Sequence, residues 1–341
     1  MKTQNFISII TLIIFFAATA YATLWTVDNK SGSIADFTEI QAAHDAAWAG
    51  DTIYVHSSGS SIYKKVTVSK KLYIIGPGYF LDENPNTQVD VRPAICNSFL
   101  FNSGSEGSLL SGFEINVTTS YYDDININAD NIIIKRNKCV HTGANIEITN
   151  DRSNIIITGN YFKSDAYSKT IEIGTNCNNI QISNNYLNSE GESNYSIWAK
   201  SSSSVEVWNN VLAGNVEIHN SHFHNNIMMT GTFTGTNSPA DINHNIGDAN
   251  QFGTANGNQE NVSMNTVFLL SGSTDGQWQL KSGSPAIGAG LSGEDCGMFG
   301  GTTPYILSGL PAIPTIYFFV APGSASGSQG LQVQIKAKSN N

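Results

Sequence analysis

One short phrase, written five times between Asn131 and Met228, constrains this chain more than any other feature. NIIIKRNKC begins at Asn131, NIIITGNYF at Asn154, NNIQISNNYL at Asn178 and SSVEVWNNVL at Ser203, with SHFHNNIM at Ser221 as a degenerate fifth copy. Each copy sets two apolar residues around an outward one, passes through a polar turn holding an asparagine, and then resumes an apolar strand. The turn asparagines Asn137, Asn160, Asn185, Asn210 and Asn226 are spaced by 23, 25, 25 and 16 residues. Periods of this size belong to solenoids.

A second phrase precedes each copy: Ile125-Asn126-Ile127, Ile146-Glu147-Ile148, Ile171-Glu172-Ile173, Ile197-Trp198-Ala199 and Val216-Glu217-Ile218. Every repeat therefore holds three short strands with the alternation expected when one face is buried and the other wet. Such strands must pair with their equivalents in the repeats above and below, as a coil of parallel sheets. Equivalent residues then stack at roughly 4.8 Å. An asparagine at the same turn of every coil can pass amide hydrogen bonds up the stack and satisfy turn backbone that an apolar core would leave unpaired. Asn137 to Asn226 read as an asparagine ladder, with Asn245 a candidate sixth member.

Coil length, the three strands and the asparagine turn between the second and third strand resemble the right-handed parallel β-helix proteins of the pectate-lyase-like superfamily. The resemblance implies an all-β, right-handed, single-stranded parallel β-helix. It covers most of the chain and says little about function, because that superfamily includes lyases, hydrolases, esterases, adhesins and surface proteins.

Residues 1–22 carry Lys2, an apolar run from Phe6 to Ala18, and Ala20-Tyr21-Ala22 as a small-x-small cleavage site. They read as a secretory signal peptide, too short to be a membrane anchor. Its removal takes away Lys2 and no acid, so a chain of net charge −10 becomes one of −11. The expected destination is extracellular or the cell surface, with the periplasm open. No later segment is apolar enough to span a bilayer. Arg92, Arg136 and Arg152 are the only arginines and no basic run exists, which argues against a nucleic-acid partner. A chain so acidic also repels polyuronates unless a cation bridges the charges. Cys96, Cys139, Cys177 and Cys296 allow three pairings, and export would permit disulfides; Cys139 and Cys177 fall on different sides of the coil, so buried free thiols are expected.

Residues 23–50 form an N-terminal cap. Asp36 is the expected N-cap of a helix with Glu39 three positions on, stopped at Gly50, and that helix would cover the open end of the first coil. Residues 51–301 form the β-helix, with early strands expected at Gly50 to Val55, Leu72 to Ile75, Val89 to Val91, Phe99 to Phe101 and Gly112 to Val117. The segment Ser284-Pro285-Ala286-Ile287-Gly288-Ala289-Gly290, followed by Cys296 to Gly301, resembles the closing coil of bacterial secreted β-helix proteins. Residues 302–341 suggest a hairpin capping the C-terminal end, from Ile316 to Val320 and the alternating Leu331 to Ala337. A monomer is expected.

Outward positions of one strand stack into rows, and a site on such a fold is built from a row and its flanking loops. In the superfamily's lyases the first sheet and the loops leading into it carry cation ligands and a basic residue. Here that row is Asn126, Glu147, Glu172, Trp198 and Glu217, with Lys200 and His219 two residues further along. Glu147 and Glu172 could share a Ca²⁺. Lys200, with His219, would supply the base, while Trp198, Glu217, Tyr167 and Tyr195 would meet a sugar. A second row, Glu206, His222 and Asp241, offers an alternative divalent-metal set. Against both stands the ordinary fate of outward polar residues, a solvated face. No arginine lies on the first row, whereas the lyases present a tight cluster of acids and bases. The favoured function is noncatalytic, glycan-binding or structural, and the rival is a polysaccharide lyase or glycoside hydrolase.

Overall fold

Isoleucine, valine and phenylalanine at every second position make strands that are apolar on one face only, and in this chain all those faces turn inward. The computed structural model describes residues 22–116, 124–141, 145–164, 169–189, 191, 194–324 and 330–340. The strands fall into three parallel sheets of eight, ten and eight strands, each strand pairing with the one three places on in the central coils. The chain is a right-handed triangular β-solenoid. The first sheet includes Ile125–Ile127, Ile146–Ile148, Lys169–Ile173 and Tyr195–Ala199. The second includes Ile133–Lys135, Ser153–Thr158, Asn178–Ser183 and Val205–Trp208, and the third Lys138–His141, Tyr161–Ser164 and Tyr186–Ser189.

Register locks the core into columns. Ile134, Ile157, Ile182, Val207 and Phe223 stand one above another in the second sheet, all fully buried. Cys139, Phe162, Leu187, Leu212 and Met228 do the same in the third. Each such side chain contributes about 1.5–3 kcal/mol by leaving water. Ile156 points outward and is half-buried, as the alternation predicts.

The asparagine ladder is present and longer than the repeats suggest. The backbone N–H of Asn137 donates to Asn160 Oδ1 at 2.8 Å, Asn160 to Asn185 at 2.9 Å, and Asn185 to Asn210 at 3.0 Å. It continues through Asn226 and Asn245 to Asn258, each step again close to 3 Å. The amide nitrogens also donate to carbonyls of the preceding coil, such as Asn185 Nδ2 to Ile157 O at 2.9 Å. The residue before each ladder position is left-handed: Arg136, Gly159, Asn184, Asn209, Asn225, His244 and Gly257 all have positive φ. That conformation suits glycine and asparagine, so the doublets Asn184-Asn185, Asn209-Asn210 and Asn225-Asn226 each hold a turn residue and a ladder residue.

The N-terminal helix is Ile40–Ala46, and it buries Ile40, Ala43 and His44 against the first strands. Asp36 is not its cap. The Asp36 carboxylate instead accepts the Thr26 N–H at 2.8 Å and hydroxyl at 2.7 Å, and Glu39 flanks the helix without a side-chain cap. Lys70 closes the other end, its ammonium donating to the carbonyls of His44, Asp45 and Ala47 at 3.0, 2.9 and 2.9 Å. Val89 to Val91 is not a strand; the third sheet starts at Ala94–Cys96. At the far end Phe252 plugs the core, 5.6 Å from Phe223 and 5.5 Å from Phe233 between ring centroids. All four cysteines are buried and free.

The segment expected as a closing coil does something else. Residues from Val267 to Leu307 run back along the outside of the third sheet and bury the outward column Tyr161, Tyr186, Val211, Ile227 and Ile246 in a second apolar cluster. Trp278 stacks on Tyr186 at 4.8 Å, and Tyr186 on Tyr161 at 4.5 Å. The left-handed turn asparagines clip this arm in place. Asn184 Nδ2 donates to Gly300 O at 2.8 Å, Asn209 Nδ2 to Asp295 O at 2.9 Å, and Asn225 Oδ1 accepts the Leu291 N–H at 2.7 Å. The arm ends among the early coils, where Arg136 donates to Leu310 O at 2.7 Å and Tyr79 N–H to Ser308 O at 2.9 Å. There the fully buried Asp275 carboxylate accepts from Ser308 N, Tyr305 Oη and Asn84 Nδ2, and Tyr305 meets Tyr79 Oη at 2.8 Å. The antiparallel hairpin Thr315–Val320 and Gln334–Lys338 follows, with Ile316 O accepting the Val89 N–H at 2.9 Å. It sits beside the early coils and not over the last one.

Candidate functional site

Register alone assembles the first-sheet row. Asn126 pairs with Glu147, Glu147 with Glu172, Glu172 with Trp198, and Trp198 with Glu217, each residue half-exposed between two inward neighbours. The row's charges are engaged with one another. Glu147 accepts a hydrogen bond from the Asn126 amide, and Glu172 pairs with Lys169 at 2.9 Å. Glu147 and Glu172 are therefore adjacent as expected, each already facing a donor.

Trp198 meets two cations. The ammonium groups of Lys169 and Lys200 each lie 3.5 Å from its ring centroid. A cation–π contact of this kind contributes about 0.5–1 kcal/mol when exposed and more when water is excluded. The flat ring expected to meet a sugar is thus already in contact with two ammonium groups. Tyr195 stands 6.4 Å from Trp198, tilted by 49°. Tyr167 lies outside the described residues.

By register Lys200 and His219 lie on adjacent coils two residues beyond Trp198 and Glu217, with the Lys200 ammonium against the Trp198 ring. His219 Nδ1 accepts the Thr236 N–H at 3.1 Å, which leaves the proton on Nε2, 3.5 Å from Glu217 Oε1. Glu217 and His219 form a carboxylate–imidazole pair with its tautomer fixed by the backbone.

The second row separates. His222 Nδ1 is 3.3 Å from Asp241 Oδ1, while Glu206 is exposed one strand away. His224 stacks on Trp208 at 6.2 Å and 9°, and burial holds its pKa below the ordinary histidine value. His244 sits in the ladder turn, 3.1 Å from Asn243 Oδ1. The four histidines between His219 and His244 thus serve four local settings. Among the described residues no three of His, Cys, Asp or Glu are grouped so that they could hold a metal ion, and Glu206, His222 and Asp241 are not such a set.

Sequence reasoning missed Lys169. Its strand reads Lys169-Thr170-Ile171-Glu172-Ile173 and pairs with Tyr195-Ser196-Ile197-Trp198-Ala199, Lys169 opposite Tyr195. Extending the repeat two residues upstream, past the small hydroxyl residue that precedes Ile171 and Ile197, would have placed it beside the row. Thr170 and Ser196 are fully buried there and donate to main-chain carbonyls, so the strand turns a corner and lets Lys169 reach the same face.

No family model, curated protein or solved structure matches this chain. Among the described residues no helix is long and apolar enough to cross a membrane. Three parallel sheets stepping coil by coil, an internal asparagine ladder and a helix over the first coil give this chain the right-handed β-helix fold of the pectate-lyase-like superfamily.

Proposed function

We propose that this is an exported, noncatalytic protein of the cell surface or extracellular space that binds glycan on its first-sheet face, centred on Lys169, Trp198 and Lys200. The observation that carries the reading is the pair of ammonium groups fixed against one indole ring. Their geometry is set before any ligand arrives, so binding costs little side-chain ordering. The two cations rise from an otherwise acidic chain and would meet hydroxyl or carboxylate oxygens of a saccharide, while Trp198 and Tyr195 supply apolar contact.

Binding is favoured over turnover because the Lys200 ammonium lies 3.5 Å from the Trp198 ring centroid, and no arginine joins the row to complete the tight cluster of acids and bases that a lyase presents. A lyase or hydrolase remains the second reading, supported by the Glu217–His219 pair with its proton on Nε2. Both are tested on immobilised acidic and neutral polysaccharides. The binding reading expects retention without product, and loss of retention in Trp198→Ala and in Lys169→Ala with Lys200→Ala. Formation of an unsaturated, ultraviolet-absorbing product that needs Ca²⁺ and disappears in Lys200→Ala or His219→Ala would overturn it. Retention unchanged in Trp198→Ala would remove this face from the proposal.

A further inference from the structure

The carboxylate of Asp51 is the one acid of the N-terminal cap that is withdrawn from water, at 2% exposure. Its Oδ1 accepts the backbone N–H of Thr23 at 2.7 Å, and its Oδ2 accepts Trp25 Nε1–H at 3.0 Å and the Trp48 N–H at 2.9 Å. Burial pushes this carboxyl up, but the N–H donors of Thr23, Trp48 and Trp25 and the charge of Lys70 outweigh it, and the group lies below the ordinary aspartate value. A buried carboxylate normally has a cation in contact. Here every direct donor is neutral, and Lys70 spends its ammonium on the carbonyls of His44, Asp45 and Ala47.

Ala20-Tyr21-Ala22 marks a cleavage junction whose new first residue is Thr23. Ala22 and Thr23 are both exposed, while the Thr23 carbonyl is pinned by the Thr52 N–H at 2.9 Å. The nitrogen that processing would free is therefore the one already touching the buried carboxylate. We propose that Asp51 is the receptor for the amino terminus created by processing. A leader peptidase, with water as co-substrate, hydrolyses the Ala22–Thr23 amide; the carboxylate leaves on Ala22, and the Thr23 nitrogen takes up protons to become an ammonium ion paired with Asp51 Oδ1. Before cleavage the strand Leu24–Val27 is held there by a neutral hydrogen bond; afterwards it is held by a charge pair beneath the capping helix. Processing thereby tightens the cap of the solenoid once the leader is gone.

The charged and titratable groups around this pair are Lys70, the His44–Asp45 contact at 2.8 Å at the helix end, and Tyr73 with Lys71 at 5.8 Å over its ring on the adjoining strand. Against that background Asp51 raises the α-amino pKa above its usual 7.7–8.0 or so. A raised folded value means that the added stability is complete below the unfolded pKa and is lost as pH climbs through the folded one. The test uses the full chain starting at Thr23, the same chain retaining Ala22, and Asp51→Asn in each. Amine labelling of Thr23 near pH 6, well below both values, should be about tenfold slower in the parent than in Asp51→Asn, the factor that one pKa unit represents there. The Thr23 chain should melt above the Ala22 chain at pH 6, and the gap should close above pH ~10 as the raised amine deprotonates. If Asp51→Asn does not fold, that comparison decides alone, because both chains keep Asp51. Equal melting at pH 6, equal labelling rates, or an exported protein whose mass places its first residue elsewhere than Thr23 would each overturn the proposal.

Discussion

Asparagine does two different jobs on this backbone, one residue apart. At Asn184, Asn209 and Asn225 it tolerates a left-handed conformation and offers its side chain outward to the arm; at Asn185, Asn210 and Asn226 it turns inward and links coil to coil. Asn185→Leu takes the acceptor from the Asn160 N–H and the side-chain donor from the Ile157 carbonyl inside the core, and should cost about 1–3 kcal/mol in reversible denaturation. Gln181→Ala, on the outward face, should stay within about 0.5 kcal/mol. Asn188, which the spacing of the repeats assigns to a loop, is not such a control: it is buried in the third sheet and donates to Tyr186 Oη at 3.0 Å. The strand register makes a sharper pair of substitutions. Ile157→Asp buries an unpaired charge and should unfold or aggregate the protein, whereas Ile156→Asp meets water and should melt close to the parent. His224 sets a pH response. Its folded pKa is below about 6.5, so its contribution is complete above that value and falls away as pH drops toward the folded one. The parent should lose melting temperature from pH 7 to pH 5, and His224→Gln should flatten that slope.

The elements follow from the same arithmetic until the period ends. Inward isoleucines and the ladder were legible because each repeats; the capping helix was legible as an element, but Asp36, the residue expected to start it, is bound to Thr26 instead. The arm was not, for a physical reason: it is irregular chain, and what it covers reads as surface. Tyr161 and Tyr186 occupy outward positions of short strands, and an outward tyrosine in one repeat looks solvated until a segment more than 90 residues later in the chain, bearing Trp278, stacks upon it. The same blindness hid Lys169, which reaches the first-sheet row only because Thr170 and Ile171 are both buried at a corner. The arm's attachment can be loosened without disturbing a coil. Asn184→Gly and Asn209→Gly keep the positive φ and remove only the clips, so amide exchange should rise between Ala286 and Gly309 while the ladder strands stay protected. Tyr305→Phe removes the hydroxyl between Tyr79 and Asp275 and should cost about 1–3 kcal/mol, since Asp275 is left buried with one donor fewer.

At the scale of the molecule, ten strands stacked in the second sheet make a rod on the order of 40 Å long. A bare stack of this kind is a row of nearest-neighbour contacts and can fray from either end. Here the arm joins the last coils to the third and fifth, because Ala286 shares an apolar cluster with Ile246 while Ser308 and Leu310 are bound at Tyr79 and Arg136. Under tension along the rod axis, the interstrand hydrogen bonds and the ladder would be loaded one coil after another, so the weakest coil would set the strength. The arm runs beside them as a second line under the same load. To pull the coils apart, a force must also peel some forty residues of close-packed chain from the third sheet, clip by clip. A protein held at one end and gripped at the other would therefore lengthen little before it failed, as a strapped stack does and a loose one does not.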